Sequence, residues 1–242
     1  MNRYDVTGLL EIFHTNPVVA RNHLAADEAL KSTPSFINTY TREAATQDPL
    51  ALLDTIARIK QERNAIVFKI FPDHLPGHAL AEVIAKSDEL LIHTRNRIHS
   101  YISDVIATRL ASWSHISTSD QYIDFSPDSF RHYSRHVHKF LSSALELAID
   151  SKKAISFSSY EALMEDSARE SIVHTLLTAL LGSNHLGTHT ADWLPTRQDT
   201  RPLASDKVTN PDTLLEFLEE QNVNALDNGA FDISFSKYSS IN

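Results

Sequence analysis

The stretch from Glu89 to Trp113, ELLIHTRNRIHSYISDVIATRLASW, constrains this chain more than any other. Leu90 to Ile92 form a short apolar run, and Arg95-Asn96-Arg97 interrupt it. Ile98, Ile102, Val105, Ile106, Leu110 and Trp113 then recur at helical spacing. The pattern predicts a buried strand, a tight turn and an amphipathic helix. A strand that feeds a helix so directly puts polar groups at the carboxyl edge of a sheet, beside the unpaired N–H groups of the helix start, where anions bind. Arg95 stands at the end of the strand, and Ser103, eight residues on, falls in the early turns of the helix. The pair suits one phosphate; a structural salt bridge and a solvated helix serine are the plain alternatives.

The rest of the chain repeats this alternation. Val6 to Phe13 reads as a short strand or extended segment, and Pro17 opens a helix through about Leu30. Residues 33–46 are polar and mixed, a loop with a short helix. Asp48-Pro49 supplies an N-cap and a first-turn proline for a helix carrying Leu50, Leu53, Ile56 and Ala57. Ala65 to Ile70 is a β-branched run ended by Phe71-Pro72, expected as a buried parallel strand with Lys69 near its carboxyl end. Gly77 to Lys86 forms the crossover helix. Ser126-Pro127-Asp128 starts a long helix with its apolar face at Phe130, Tyr133, Val137, Phe140, Leu141, Ala144 and Ala148. A strand follows at Ala154 to Phe157, a helix is expected from Ser167 to Leu181, and Asn210-Pro211-Asp212 caps a last helix to about Gln221. Alternating strands and helices imply a parallel α/β sheet covered by helices, one domain over residues 1–222, and a flexible tail over 223–242.

Composition narrows the chemistry. The formal charge of −9 argues against a general nucleic-acid binder, which needs a basic stripe to displace counterions. With no cysteine, neither a disulfide framework nor a thiol nucleophile is available. No run of 18 apolar residues occurs, so a membrane span is not expected and the expected location is the cytoplasm. Thirteen histidines raise a metal reading, with His132 and His136 at i, i+4. They lie off the face that Phe130, Val137 and Phe140 mark as packed, and no H-E-x-x-H pattern forms, so a solvated stripe and no metal is the expectation.

The segment through Arg95 and Ser103 resembles the 3′-phosphate-binding element of the sulfotransferases, and its continuation to Trp113 is most similar to the bacterial carbohydrate sulfotransferases acting on trehalose, lipopolysaccharide or Nod-factor glycans. Tyr160-Glu161-Ala162-Leu163 resembles the Y-E-D-L element of that family, with Ala162 in place of its Asp. Thr196-Arg197-Gln198 to Val208-Thr209-Asn210 resembles its late segment, a basic-Gln pair followed by Val-x-Asn. These elements run in the family's order over roughly residues 6 to 220.

The resemblance implies a P-loop-NTPase-like parallel sheet flanked by helices, and a donor, 3′-phosphoadenosine-5′-phosphosulfate (PAPS), with no metal. It implies that Arg95, Ser103 and Arg197 hold the 3′-phosphate and that Tyr160 lies near the adenine, where core packing is the alternative for a tyrosine. Glu11, in Gly8-Leu9-Leu10-Glu11-Ile12-Phe13, is similar to the catalytic base of the trehalose-type enzymes; otherwise it is a surface carboxylate. Lys69 matches the strand-end lysine near the transferred group; otherwise it flanks an edge strand. His14, beside Glu11, is a candidate contact for a sugar acceptor. The family's first strand and its P-R-S-G-S/T loop, which cradles the 5′-phosphosulfate, have no match in these residues, nor does any G-x-x-x-x-G-K-S/T or G-x-G-x-x-G pattern. The expectation is a sulfotransferase for a carbohydrate or glycolipid hydroxyl; the alternative is a non-catalytic binding or scaffold protein on the same fold that lacks the loop. Oligomeric state is left open.

Overall fold

Pro17, Pro34, Pro49, Pro127 and Pro211 each stand at the first position of a helix, where a fixed φ suits the helix and the missing N–H costs nothing. A computed structural model describes residues 6–9, 11–60, 65–110, 117–164 and 201–221 of the chain. In order they form β1 (Val6–Leu9), α1 (Pro17–Ala25), α2 (Glu28–Lys31), α3 (Pro34–Thr39), α4 (Arg42–Gln47), α5 (Pro49–Lys60), β2 (Ala65–Phe68), α6 (Gly77–Lys86), β3 (Glu89–Thr94), α7 (Arg97–Leu110), α8 (Pro127–Asp150), β4 (Ala154–Ser159), α9 (Tyr160–Met164), a 3-10 turn at Ser205–Lys207, and α10 (Pro211–Glu220). The protein is mixed α/β and mostly helical. Its described strands make two two-stranded sheets, β1 with β2 and β3 with β4. The helix expected over 167–181 and the tail at 223–242 lie outside the described residues.

The chain divides into two compact units, one of Met1–Leu91, Ser143–Ser156 and Glu170–Thr188, the other of Ile92–Ser142, Phe157–Arg169 and His189–Asn242.

In the first unit β1 and β2 run parallel, with Leu9 paired to Phe68 at their carboxyl ends. Glu11 and Lys69 therefore follow the same edge of this sheet. The buried residues of the unit include Ile12, Phe13, Leu24, Leu30, Ile56 and Leu80. Phe13 meets the Phe68 ring edge-on at 5.5 Å, a geometry that the aromatic quadrupole favours. Several expectations change here. Residues 33–46, expected as a loop with a short helix, carry two helices, α3 and α4. The helix opened by Pro17 stops at Ala25, because the Asp27 side chain accepts the N–H groups of Ala29 and Leu30 and so starts α2 afresh. The strand expected over 65–70 ends at Phe68 and is half exposed rather than buried, with Val67 exposed on it and Lys69 exposed just after it. Its residues alternate as in a one-sided sheet.

The second unit packs α7, α8 and α10 around Ile98, Tyr101, Ile102, Phe125, Phe130 and Phe217. Tyr101, Phe125, Phe130 and Phe217 form a ring cluster with centroid separations of 5.5 to 6.1 Å. Ile123 bridges Val208 in parallel, and Asn210 accepts the Phe125 N–H at 2.7 Å while donating to the Phe125 carbonyl at 2.9 Å. Asn210 sits at the N-cap of α10, as its sequence predicts, but its side chain makes no capping bond because Phe125 takes both its donor and its acceptor.

Candidate functional site

In the second unit, β3 ends at Thr94 and α7 begins at Arg97, as the apolar run and the helical spacing require, but the strand is not buried as expected: Ile92 alone of its residues is buried and Leu91 is exposed. Asn96 makes the turn. Its side chain accepts the His99 N–H at 3.1 Å and its carbonyl accepts that of Ser100 at 2.9 Å, which caps α7. Its own N–H donates to the Glu161 carboxylate at 2.9 Å. Beside it, the Arg95 guanidinium carbon lies 4.6 Å from the Tyr160 ring centroid, a cation–π contact, and Arg95 Nε is buried with no hydrogen-bond partner. The fold thus brings Tyr160-Glu161, at the start of α9, onto Arg95-Asn96.

Positive charge gathers in this region. Arg97 is buried at the first position of α7. Tyr133 of α8 registers the surroundings: burial and Asp104 raise its hydroxyl above its ordinary range, while Arg97, a Ser100 hydrogen bond and Arg95 act in the opposite sense. Asp104 is itself pushed up by burial, with His136 opposing. Ser103 is half-buried in the second turn of α7. Arg197 lies outside the described residues. Lys207, which sequence reasoning passed over as loop, is buried with its Nζ 3.3 Å from His99 Nδ1. Its only sequence signal is a lysine directly before the apolar Val208, in a segment with no periodicity to say which way it points.

In the first unit the residues after β1 and β2 converge. His14 closes a turn by donating its N–H to the Glu11 carbonyl at 3.0 Å, and its Nε2 stands 3.7 Å from Glu11 Oε2. His14 Nδ1 accepts the Asn16 N–H at 2.8 Å, so the neutral ring carries its proton on Nε2, toward Glu11. The His74 ring lies 5.3 Å from that of His14. His74 is held by a tight turn after β2: Asp73 adopts a φ of 69°, a conformation Asp tolerates better than most residues, and its carbonyl accepts Arg42 Nη2 at 3.1 Å. Burial, with help from the His14 and Arg42 charges and against Asp73, lowers the His74 pKa to about 4, so His74 is neutral. His23 of α1 is lowered too, first by burial, then by His14 and Lys69 and against Glu11. Glu11, His14 and Lys69 therefore all act electrostatically on one histidine. Lys69 is exposed, its Nζ 5.9 Å from the Phe71 ring centroid.

Chemically, this group offers a carboxylate, two imidazoles and an exposed ammonium at one sheet edge. No sequence pattern singles out His74, since its place depends on the Asp73 turn. The His132, His136 and His138 stripe is exposed on α8.

Compared with protein-family models, with curated proteins and with solved structures, the chain matches none. Among the described residues no helix is long and apolar enough to cross a membrane.

Proposed function

We propose that this chain is a sulfotransferase that moves a sulfuryl group from PAPS to a hydroxyl of a carbohydrate or glycolipid, on a sulfotransferase-type α/β fold. One observation carries the reading. Arg95 and Tyr160 are assigned by resemblance to the same bound nucleotide, and in the folded chain the Arg95 guanidinium lies over the Tyr160 ring, while next to them Glu161 accepts the Asn96 N–H. The two residues, 65 apart in sequence, meet because β3 and β4 are neighbours in one sheet and each strand ends directly before one of them. Arg95 is half-buried at the end of β3, and Arg97 and Lys207 add positive charge in the same unit.

In this reading Glu11 removes the proton of the acceptor hydroxyl, the oxygen bonds to sulfur, and the bond from sulfur to the phosphate oxygen of PAPS breaks. Adenosine 3′,5′-bisphosphate leaves, and Lys69 offsets the charge that builds on its 5′-phosphate. Arg95, Ser103 and Arg197 hold the 3′-phosphate, Tyr160 contacts the adenine, and His14 contacts the sugar.

A second reading is a non-catalytic relative that keeps only the 3′-phosphate pocket. Calorimetric titration with adenosine 3′,5′-bisphosphate, on the wild type and on Arg95→Ala and Ser103→Ala, tests both. Binding that Arg95→Ala abolishes supports a nucleotide site, and sulfation of a sugar panel from PAPS then separates enzyme from binding module. A folded wild type that binds no nucleotide overturns both readings.

A further inference from the structure

We infer that Glu11, His14 and His74 form a binding site for a divalent transition-metal ion of the zinc class. Each offers one ligand atom, and the three atoms lie within 4.8 Å of one another, with the Glu11–His14 pair at 3.7 Å. Around a tetrahedral zinc ion, ligand atoms at roughly 2.0–2.1 Å from the metal stand about 3.4 Å apart, so side-chain rotation alone closes the set. Two imidazoles and a carboxylate are a donor set that zinc accepts, and three protein ligands leave a fourth position open.

The second observation is His74 itself. It is 5% exposed, its Nδ1 is buried, and that atom has no hydrogen-bond partner. A buried imidazole nitrogen left unsatisfied is costly unless something meets it. The hydrogen bonds around Asp73 and the turn that closes from the His74 N–H to the Phe71 carbonyl hold the ligand in place before any ion arrives.

Two features oppose a cation. Lys69 and Arg42 are positive nearby, although Glu11 and Asp73 balance them. Coordination through His14 Nε2 moves the ring proton to Nδ1 and gives up the exposed bond from the Asn16 N–H, one weak hydrogen bond against three coordinate bonds. The site is separate from the nucleotide question, but it shares Glu11 and His14 with the proposed reaction: a bound ion takes that carboxylate out of proton transfer and that imidazole out of contact with the sugar.

The test uses the full chain without an affinity tag, stripped with chelator, and titrated with zinc chloride against a chromophoric chelator and with cobalt chloride by visible absorption. The expected result is one tight equivalent with a tetrahedral cobalt spectrum, lost in both His74→Ala and Glu11→Gln and kept in a His132→Ala/His136→Ala control. Circular dichroism checks folding, and if His74→Ala does not fold, Glu11→Gln decides. No tight equivalent in the wild type, uptake that survives Glu11→Gln, or uptake that follows the α8 control overturns the inference. None of these readouts uses PAPS or an acceptor, so a failed sulfotransferase assay leaves the result intact.

Discussion

The Arg95 guanidinium and the Tyr160 ring, 65 residues apart in sequence, are stacked at 4.6 Å in the folded protein. The contact ties the first residue after β3 to the first residue after β4, so it joins two strand ends that the sequence treats as independent events. Because Arg95 is half-buried, its charge is only partly hydrated and the ring face gains in value. A double-mutant cycle of Arg95→Ala and Tyr160→Leu, read by urea denaturation, is expected to give a coupling of about 0.5–2 kcal/mol. Arg95→Lys should fail to restore it, since an ammonium cannot lie flat on the ring. A coupling near zero would mean that the stacking carries no energy.

The neighbouring contact makes a second test. Glu161 accepts the N–H of Asn96, which is itself buried, through a charge-assisted bond. Glu161→Ala leaves that N–H unsatisfied and is expected to cost about 1–3 kcal/mol of stability. Glu161→Gln keeps an acceptor oxygen and should recover part of the loss. Equal losses in the two variants would show that the charge, rather than the bond, carries the effect.

Much of the local structure was legible in the sequence because its signals are local. Pro17, Pro49, Pro127 and Pro211 announce helix starts, and the apolar runs at 65, 89 and 154 announce strands. What escaped depends on tertiary placement. Asp27 cuts one expected helix in two because its carboxylate serves Lys60 as well as the α2 N–H groups. Asn210 stands where a cap belongs and turns to Phe125 instead. Arg95, Ser103 and Tyr160 are candidates that motif order singles out, whereas Lys207 and His74 carry no pattern and are placed by the turns that bury them.

Tyr40 links the core to the Glu11 turn. Its hydroxyl donates to the Ile12 carbonyl at 2.7 Å, and its own carbonyl accepts Arg21. Burial raises the Tyr40 pKa to about 12, against the nearby Arg42 and Arg21 charges, so the hydroxyl stays a donor at any physiological pH. Tyr40→Phe leaves the Ile12 carbonyl, one residue from Glu11, buried without this donor. The expected loss is about 1–2 kcal/mol in chemical denaturation, with faster amide exchange at residues 11–14. Unchanged exchange there would assign Tyr40 to the core alone.

Acid should unfold this protein partly through Asp27. Burial pushes its carboxyl up, but the Lys60 hydrogen bond and charge and the N–H groups of Leu30 and Ala29 outweigh that and hold it below the usual carboxylate range. Lys60 is almost fully buried against it. A folded pKa below the unfolded one means that the unfolded chain binds the proton more readily. The stabilisation is therefore fully present above the unfolded value of 3.8 and is lost as pH falls through the lower folded value. Asp27→Asn retains a side-chain oxygen for the α2 cap and removes the charge, so it should flatten the acid limb of a stability–pH curve without melting α2. Lys60→Met strands the carboxylate and is expected to cost about 3 kcal/mol at neutral pH, most of it regained in the Asp27→Asn/Lys60→Met double variant. If the double variant is no more stable than Lys60→Met alone, the loss comes from packing of the lysine stem and not from the unpaired charge.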